Sequence, residues 1–376
     1  MDSNNKSIEQ GQNIESTNSK DYIHNLKSTF ILKKILEHLK KKKTLAIIKI
    51  NKDIQNRLNI SINNYIQYSE LFTPIEIEIT PVENTKGNFI NFSDEDKEYF
   101  HIYFDDSNEE IKRNNLSEED KIKKIKITID HEIKSFKKLF YYCKCIKSIN
   151  FTKFHRNNIT DMYYMFSYCQ ALKEINFAQF KTSNVTDMSG MFNYCSALEE
   201  INLTNFDTKN VTDMSSMFYE CSSLTDLNVT NLNTSKVKNM SSMFYGCSKL
   251  LKLDLSNLDT KNVLYMSSIF SFCTSLKEIN LTNFNTEKVI NMSSMFSKCT
   301  GLKEINVLNF NTVNVIDMNS MFCDCTALEN VDISNFNFEH VDDKESIFFN
   351  CSKDLQEKVQ KQQTGLVFDK IAPTIE

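Results

Sequence analysis

The stretch from Val211 to Val229, VTDMSSMFYECSSLTDLNV, contains one cysteine, and its pattern returns along most of a 376-residue chain. Cys143, Cys169, Cys195, Cys221, Cys247, Cys273, Cys299, Cys325 and Cys351 follow one another every 26 residues, leaving only Cys145 and Cys323 outside the series. Phenylalanine stands three residues before the cysteine from Phe166 to Phe348, and leucine three after it from Leu172 to Leu328. A period held at so many positions identifies one structural unit copied along the chain.

Each unit reads as a strand, a turn and a short helix. In LEEINLTNF, from Leu198, the alternation places Ile201 and Leu203 on the inner face of a strand and Glu200, Asn202 and Thr204 on its outer face. DTKNVTDMSSMF then puts Val211, Met214, Met217 and Phe218 on one side of a helix, preceded by Asp207 and Thr208 as candidate caps. No single unit could bury both elements. The expected fold is therefore an α/β repeat solenoid, a right-handed coil with one short strand and one short helix per 26-residue repeat. Asn205, Asn231, Asn257, Asn283, Asn309 and Asn335 make a further column, expected to turn inward and satisfy buried backbone groups.

Composition narrows the function. Hydrophobic residues make up 40% of the chain and charged residues 25%, enough for a large core. A formal net charge of -5 argues against a general nucleic-acid binder, which needs excess Lys and Arg. No apolar run approaches the length of a membrane span, and the polar N-terminus lacks the apolar core of a signal peptide. The expectation is a cytoplasmic chain in which disulfides are uncommon.

The organisation reads as a disordered tail over 1–22, a helical module over 23–70, a β-rich capping region over 71–130, repeats over 131–352, and a C-terminal cap and tail over 353–376. In the capping region IEIEIT, FINF and YFHIYF look like strands. TGLVFDKI, from Thr364, could form a closing strand. In the helical module Ile31, Leu32, Ile35, Leu36 and Leu39 share one helical face.

The repeat motif, MFxxCxxLxxINLTNFDTxNVTDMSSMF, resembles the 26-residue BspA-like leucine-rich repeats of bacterial surface proteins and of expanded protist families. The resemblance covers about Ile133 to Cys351 and implies a non-enzymatic recognition surface, in many members an adhesin. Residues 29–66 more loosely resemble an F-box. That likeness implies a substrate adaptor of a ubiquitin ligase, with Ile31, Leu32, Ile35, Leu36 and Leu39 docking a Skp1-like adaptor.

Enzymatic and metal chemistry find no motif. The six histidines form no HExxH, and neither a phosphate loop nor GxGxxG is present, so neither a catalytic residue nor a cofactor is expected. One thiol per coil laid along a line cannot surround a metal tetrahedrally. In-register thiols also point in parallel, which suits a reduced, packed ladder better than disulfides. Thirteen of the fourteen methionines share that interior. The exposed strand face remains as the candidate protein-binding surface: Glu174, Asn176, Glu200, Asn202, Asp226, Asn228, Asp254, Glu278, Asn280, Glu304 and Asn306. The expected partner is a protein of unknown identity, with neither nucleic acid nor membrane. A ubiquitin-ligase adaptor and a surface adhesin are the alternative readings.

Overall fold

The computed structural model describes residues 28–29, 31–33, 47–48, 51–59, 73–131, 133–366 and 368. The chain divides into two compact units, 1–72 and 73–376. In the first, helix α1 (Lys52–Leu58) starts at Asn51, whose side chain accepts from the Ile54 amide at 3.1 Å, and stops where Asn59 turns left-handed. Residues 29, 31–33 and 47–48 are also helical; Leu32, Ile48 and Ile54 are buried, and Ile31 is exposed. Ile35, Leu36 and Leu39 lie outside the described residues.

The second unit opens with alternating sequences whose inward residues build a sheet. Strands β1 (Ile75–Pro81), β3 (Phe100–Phe104) and β6 (Ile125–Ile129) each bury every second side chain. With β4 (Glu110–Ile111), β7 (Ile146–Lys153) and β8 (Glu174–Asn176) they form a six-stranded sheet in the order β4-β3-β6-β1-β7-β8. The pairings are antiparallel up to β7, which then pairs with β8 in parallel, so the sheet passes from the capping strands into the first repeats. Buried Arg156 fastens this junction, donating to the carbonyls of Thr73 and Ile129 at 2.8 and 3.1 Å and to that of His131.

FINF departs from the expected strand. The short strands here are β2 (Gly87–Asn88) and β5 (Asn115–Leu116), paired antiparallel, and Phe89 to Phe92 run irregularly. Asn91 explains the departure, because its amide donates to Leu139 O at 2.7 Å and its side-chain nitrogen to Tyr141 O at 2.7 Å. These bonds tie Asn91 to the first repeat instead of to a neighbouring strand.

The expected helix of each repeat is replaced by linked turns. In the Val211 unit, the amides of Met214, Ser216, Phe218 and Glu220 donate to Asn239, Ser241, Met243 and Tyr245 of the next coil at 2.6 to 3.1 Å. The intervening amides of Met217, Tyr219 and Cys221 close turns onto residues three earlier. An α-helix would need bonds four residues back and negative φ throughout, whereas Ser216 and Glu220 both sit at φ +55. A left-handed non-glycine residue costs about 1 to 2 kcal/mol, which the inter-coil bonds offset. Met214, Met217, Phe218 and Cys221 nevertheless all point into the core.

The unbroken backbone ladder does not run along the LxxIxL segments. Parallel bridges join Ser135, Asp161, Asp187, Asp213, Asn239, Tyr265, Asn291 and Asp317 in succession. On the LxxIxL side, strands pair only in twos: β7 with β8, β9 (Lys252–Asp254) with β10 (Glu278–Asn280), and β11 (Glu304–Ile305) with β12 (Asn330–Val331). Residues 200–202 and 226–228 form no strand.

The inward polar ladder belongs to threonine. Thr182, Thr208, Thr234, Thr260, Thr286 and Thr312 are buried, and each hydroxyl donates to a carbonyl 25 residues on. The asparagine column instead stays exposed. Asn205, Asn231, Asn283, Asn309 and Asn335 donate from their edge positions to carbonyls 27 residues back. An amide is long enough to span two coils from outside, while a hydroxyl fits the interior.

Phenylalanines stack through the core, with Phe218 between Phe192 at 5.5 Å and Phe244 at 5.9 Å. At the far end helix α2 (Lys353–Gln362), capped by Ser352, buries Leu355 and Val359. Gln362 and Gln363 bond to the backbone of Val331, Ile333, Ser334 and Phe336, which finishes the last coil. In the expected closing strand, residues 364–366 make a turn, with Leu366 buried; residues 367 and 369–371 lie outside the described residues.

Candidate functional site

The strand face carries two columns of exposed side chains. Glu174, Glu200, Asp226, Glu278 and Glu304 occupy one, and Asn176, Asn202, Asn228, Asp254, Asn280 and Asn306 the other. Pairing aligns Glu278 with Lys252 and Asn280 with Asp254 across adjacent coils. Lys252 Nζ meets the Glu278 carboxylate at 2.8 Å, a surface contact weakened by solvent.

The second column has a local duty. Asn202 Oδ1 accepts from the amide of Thr204 at 3.0 Å and from its hydroxyl at 2.7 Å, and Asn228 treats Thr230 in the same way. Asn280 does so with Thr282; Asn176 takes the amide of Ala178, Asn306 that of Leu308, and Asp254 that of Ser256. The bonds from Ser256 hold the Asp254 carboxyl below the usual carboxylate range. All six therefore start the turn that follows the LxxIxL segment. The carboxylates of the first column are freer to meet a partner.

At the C-terminal end the face deepens into an open groove. Glu278, Ile279, Glu304, Ile305 and Asn306 form part of its lining, and Lys358, Lys361 and Gln362 come from α2. Acidic residues of the strands and lysines of α2 thus line the same groove.

The cysteines are structural hydrogen-bond donors. Cys221 Sγ lies 3.1 Å from Phe192 O, and the seven other thiols from Cys169 to Cys351 in the series make the same contact with the preceding coil. All eleven cysteines are free. Burial pushes the Cys273 thiol up to about 12, far from the thiolate range needed for nucleophilic or redox chemistry. Among the described residues no three His, Cys, Asp or Glu side chains gather as a metal site, and no helix is long and apolar enough to cross a membrane.

One feature was missed by reading the sequence. Tyr142, Tyr168, Tyr194, Tyr219, Tyr245 and Phe272 form a continuous aromatic stripe with ring centroids 4.4 to 5.3 Å apart. Its signal is an aromatic in one of the two residues before each cysteine of the series from Cys143 to Cys273, as in MFSYC, MFNYC, MFYEC, MFYGC and IFSFC. The stripe changes column between Tyr194 and Tyr219. Gly246 leaves room there, since a Cβ on it would stand 2.7 Å from the Glu220 carboxyl carbon.

Comparison with known proteins places these repeats. The family described as "Mycoplasma protein of unknown function, DUF285" matches over residues 134–252, 214–330 and 249–362. The family described as "BspA type Leucine rich repeat region (6 copies)" matches over 60–189. One similar solved structure is a T. pallidum leucine rich repeat protein, 19% identical, with 45% of this chain and 70% of that one covered and a TM-score of 0.32. Another is a Leptospira interrogans leucine rich repeat protein, 12% identical, with 60% of this chain and 49% of that one covered and a TM-score of 0.24. The chain thus spans about half the length of the Leptospira protein. No curated protein matches.

Proposed function

The chain belongs to the family described as Mycoplasma protein of unknown function, DUF285, and carries BspA-type leucine-rich repeats, and from that premise we propose a non-enzymatic protein-binding scaffold. The binding surface is the exposed strand face, centred on its carboxylate column and on the groove beside α2. In this reading residues 73–130 and α2 are the end caps of a solenoid. The observation that carries the proposal is the groove itself, whose lining brings Glu278 and Glu304 together with Lys358 and Lys361. A surface that offers both charges suits an extended peptide segment with alternating charge.

The test is affinity purification of the full-length chain from its native cells beside the Glu278→Lys/Glu304→Lys variant. A protein recovered in stoichiometric amount with the native chain and lost with the variant supports the reading. An identical set of recovered proteins removes the groove as the site.

A further inference from the structure

The first two coils carry a second surface of opposite charge preference. Tyr142, Tyr163 and Tyr168 gather there with Lys137, Lys138 and Lys144, all three lysines exposed. Tyr142 stacks on Tyr168 at 4.8 Å. Lys144 Nζ sits 4.6 Å from the Tyr142 ring centroid, and Lys137 Nζ 5.0 Å from that of Tyr163. Lys138 lies 5.1 Å from the ring of Tyr141 and 6.0 Å from that of Tyr163.

These lysines differ from those of the neighbouring sheet. Lys124, Lys126 and Lys153 pair with Glu78, Asp106 and Glu76, whereas among the described residues Lys137, Lys138 and Lys144 have no carboxylate partner. Asp161 is the carboxylate closest along the chain to Tyr163. It is engaged by the Tyr163 amide at 2.9 Å and the Ser135 hydroxyl at 3.3 Å. Glu220, further along the stripe, is three coils from Tyr142.

The geometry points to a docking site for an acidic peptide segment of a protein partner. Charge complementarity selects acid: three ammonium groups are held in one place by aromatic rings and left without carboxylates. The rings decide against sugars and nucleic-acid bases. Such ligands stack on free ring faces, and here Tyr142 already stacks on Tyr168 and carries the Lys144 ammonium over its ring. Tyr142 itself stays exposed beside the three ammonium groups, and tyrosine is enriched at protein interfaces. This site stands apart from the strand-face groove and does not depend on it.

The test uses the full-length chain and a fluorescein-labelled Asp/Glu-rich peptide, with a Lys-rich peptide, a heparin oligosaccharide and oligo(dT) as further probes. The acidic peptide is expected to bind best and to weaken with added salt. The triple variant Lys137→Gln/Lys138→Gln/Lys144→Gln should weaken it about tenfold or more, and Tyr142→Ala several-fold, with Lys252→Gln on the strand face unchanged. Circular dichroism on each variant separates lost binding from lost fold, and a variant that unfolds is replaced by Lys144→Gln alone, expected to weaken binding measurably. Equal binding by folded variants, absence of binding, or a preference for heparin, oligo(dT) or the basic peptide would overturn the assignment.

Discussion

The hydroxyl of Thr208 donates to the carbonyl oxygen of Asn233 at 3.0 Å and accepts from the amide of the same residue at 2.7 Å. One buried side chain thus satisfies both backbone groups of a residue in the next coil. Thr208→Val keeps the shape and removes both bonds, leaving a donor and an acceptor without partners. The expected loss is about 1 to 3 kcal/mol in urea unfolding, with Thr208→Ser closer to native. A valine variant as stable as the native chain would contradict the ladder.

Phe218→Ala opens a gap between Phe192 and Phe244 and should cost about 3 to 5 kcal/mol. An unchanged melting temperature would show that the core register is misplaced.

Alkaline pH should destabilise the repeats through their thiols. Cys273 moves from its ordinary 9.0 to about 12 in the fold because burial disfavours the thiolate. The unfolded chain therefore releases this proton first as pH rises. The stabilising contribution is whole below about pH 9 and is lost between about 9 and 12, at up to about 1.4 kcal/mol per pH unit for each such thiol. Cys273→Ala should flatten the alkaline limb of stability against pH, and an unaltered slope would count against the buried ladder.

Gly246 sits at φ +69 under the Glu220 carboxylate. Gly246→Ala should cost about 1 to 3 kcal/mol from strain and overlap together. Adding Glu220→Ala should restore only the part due to overlap. A double-mutant cycle with no coupling would contradict this close approach.

Asn202 and Glu200 should separate in their effects. Asn202→Ala removes the acceptor for both Thr204 donors and should cost about 0.5 to 1.5 kcal/mol, whereas Glu200→Ala should change stability by less than about 0.5 kcal/mol. Equal stability losses would undo the division of the strand face into turn-forming and partner-facing columns.

The 26-residue period made the repeats and their buried register legible, and it misled about the backbone between Val211 and Cys221. Helices and linked turns both bring Met214, Met217, Phe218 and Cys221 to one side, so apolar spacing alone could not choose between them. The deciding signal was left-handed backbone at Ser216 and Glu220, which non-glycine residues do not announce. Asn205 and Thr208 exchanged expected places because a sequence column does not reveal which polar side chain reaches inward. The aromatic stripe escaped notice because its shift from Tyr194 to Tyr219 breaks the period that guided the reading. The candidate strand face was legible as exposure, but the Asx bonds of Asn202 and Asn228 became visible only with the turn geometry.

Asn91 occupies, at the first coil, the positions that a preceding coil's amides would fill on Leu139 O and Tyr141 O. Since those amides point the same way in every coil, their peptide dipoles add along the stack instead of cancelling as in an ordinary sheet. The leading end is rich in carbonyl oxygen and calls for donors such as Asn91. The trailing end is rich in N–H and calls for acceptors, as where the Asp343 carboxylate takes the amide of Ser346. The array therefore has a sense, like a threaded rod. Whole 26-residue units could be excised and the cut ends rejoined, but the two caps could not be exchanged.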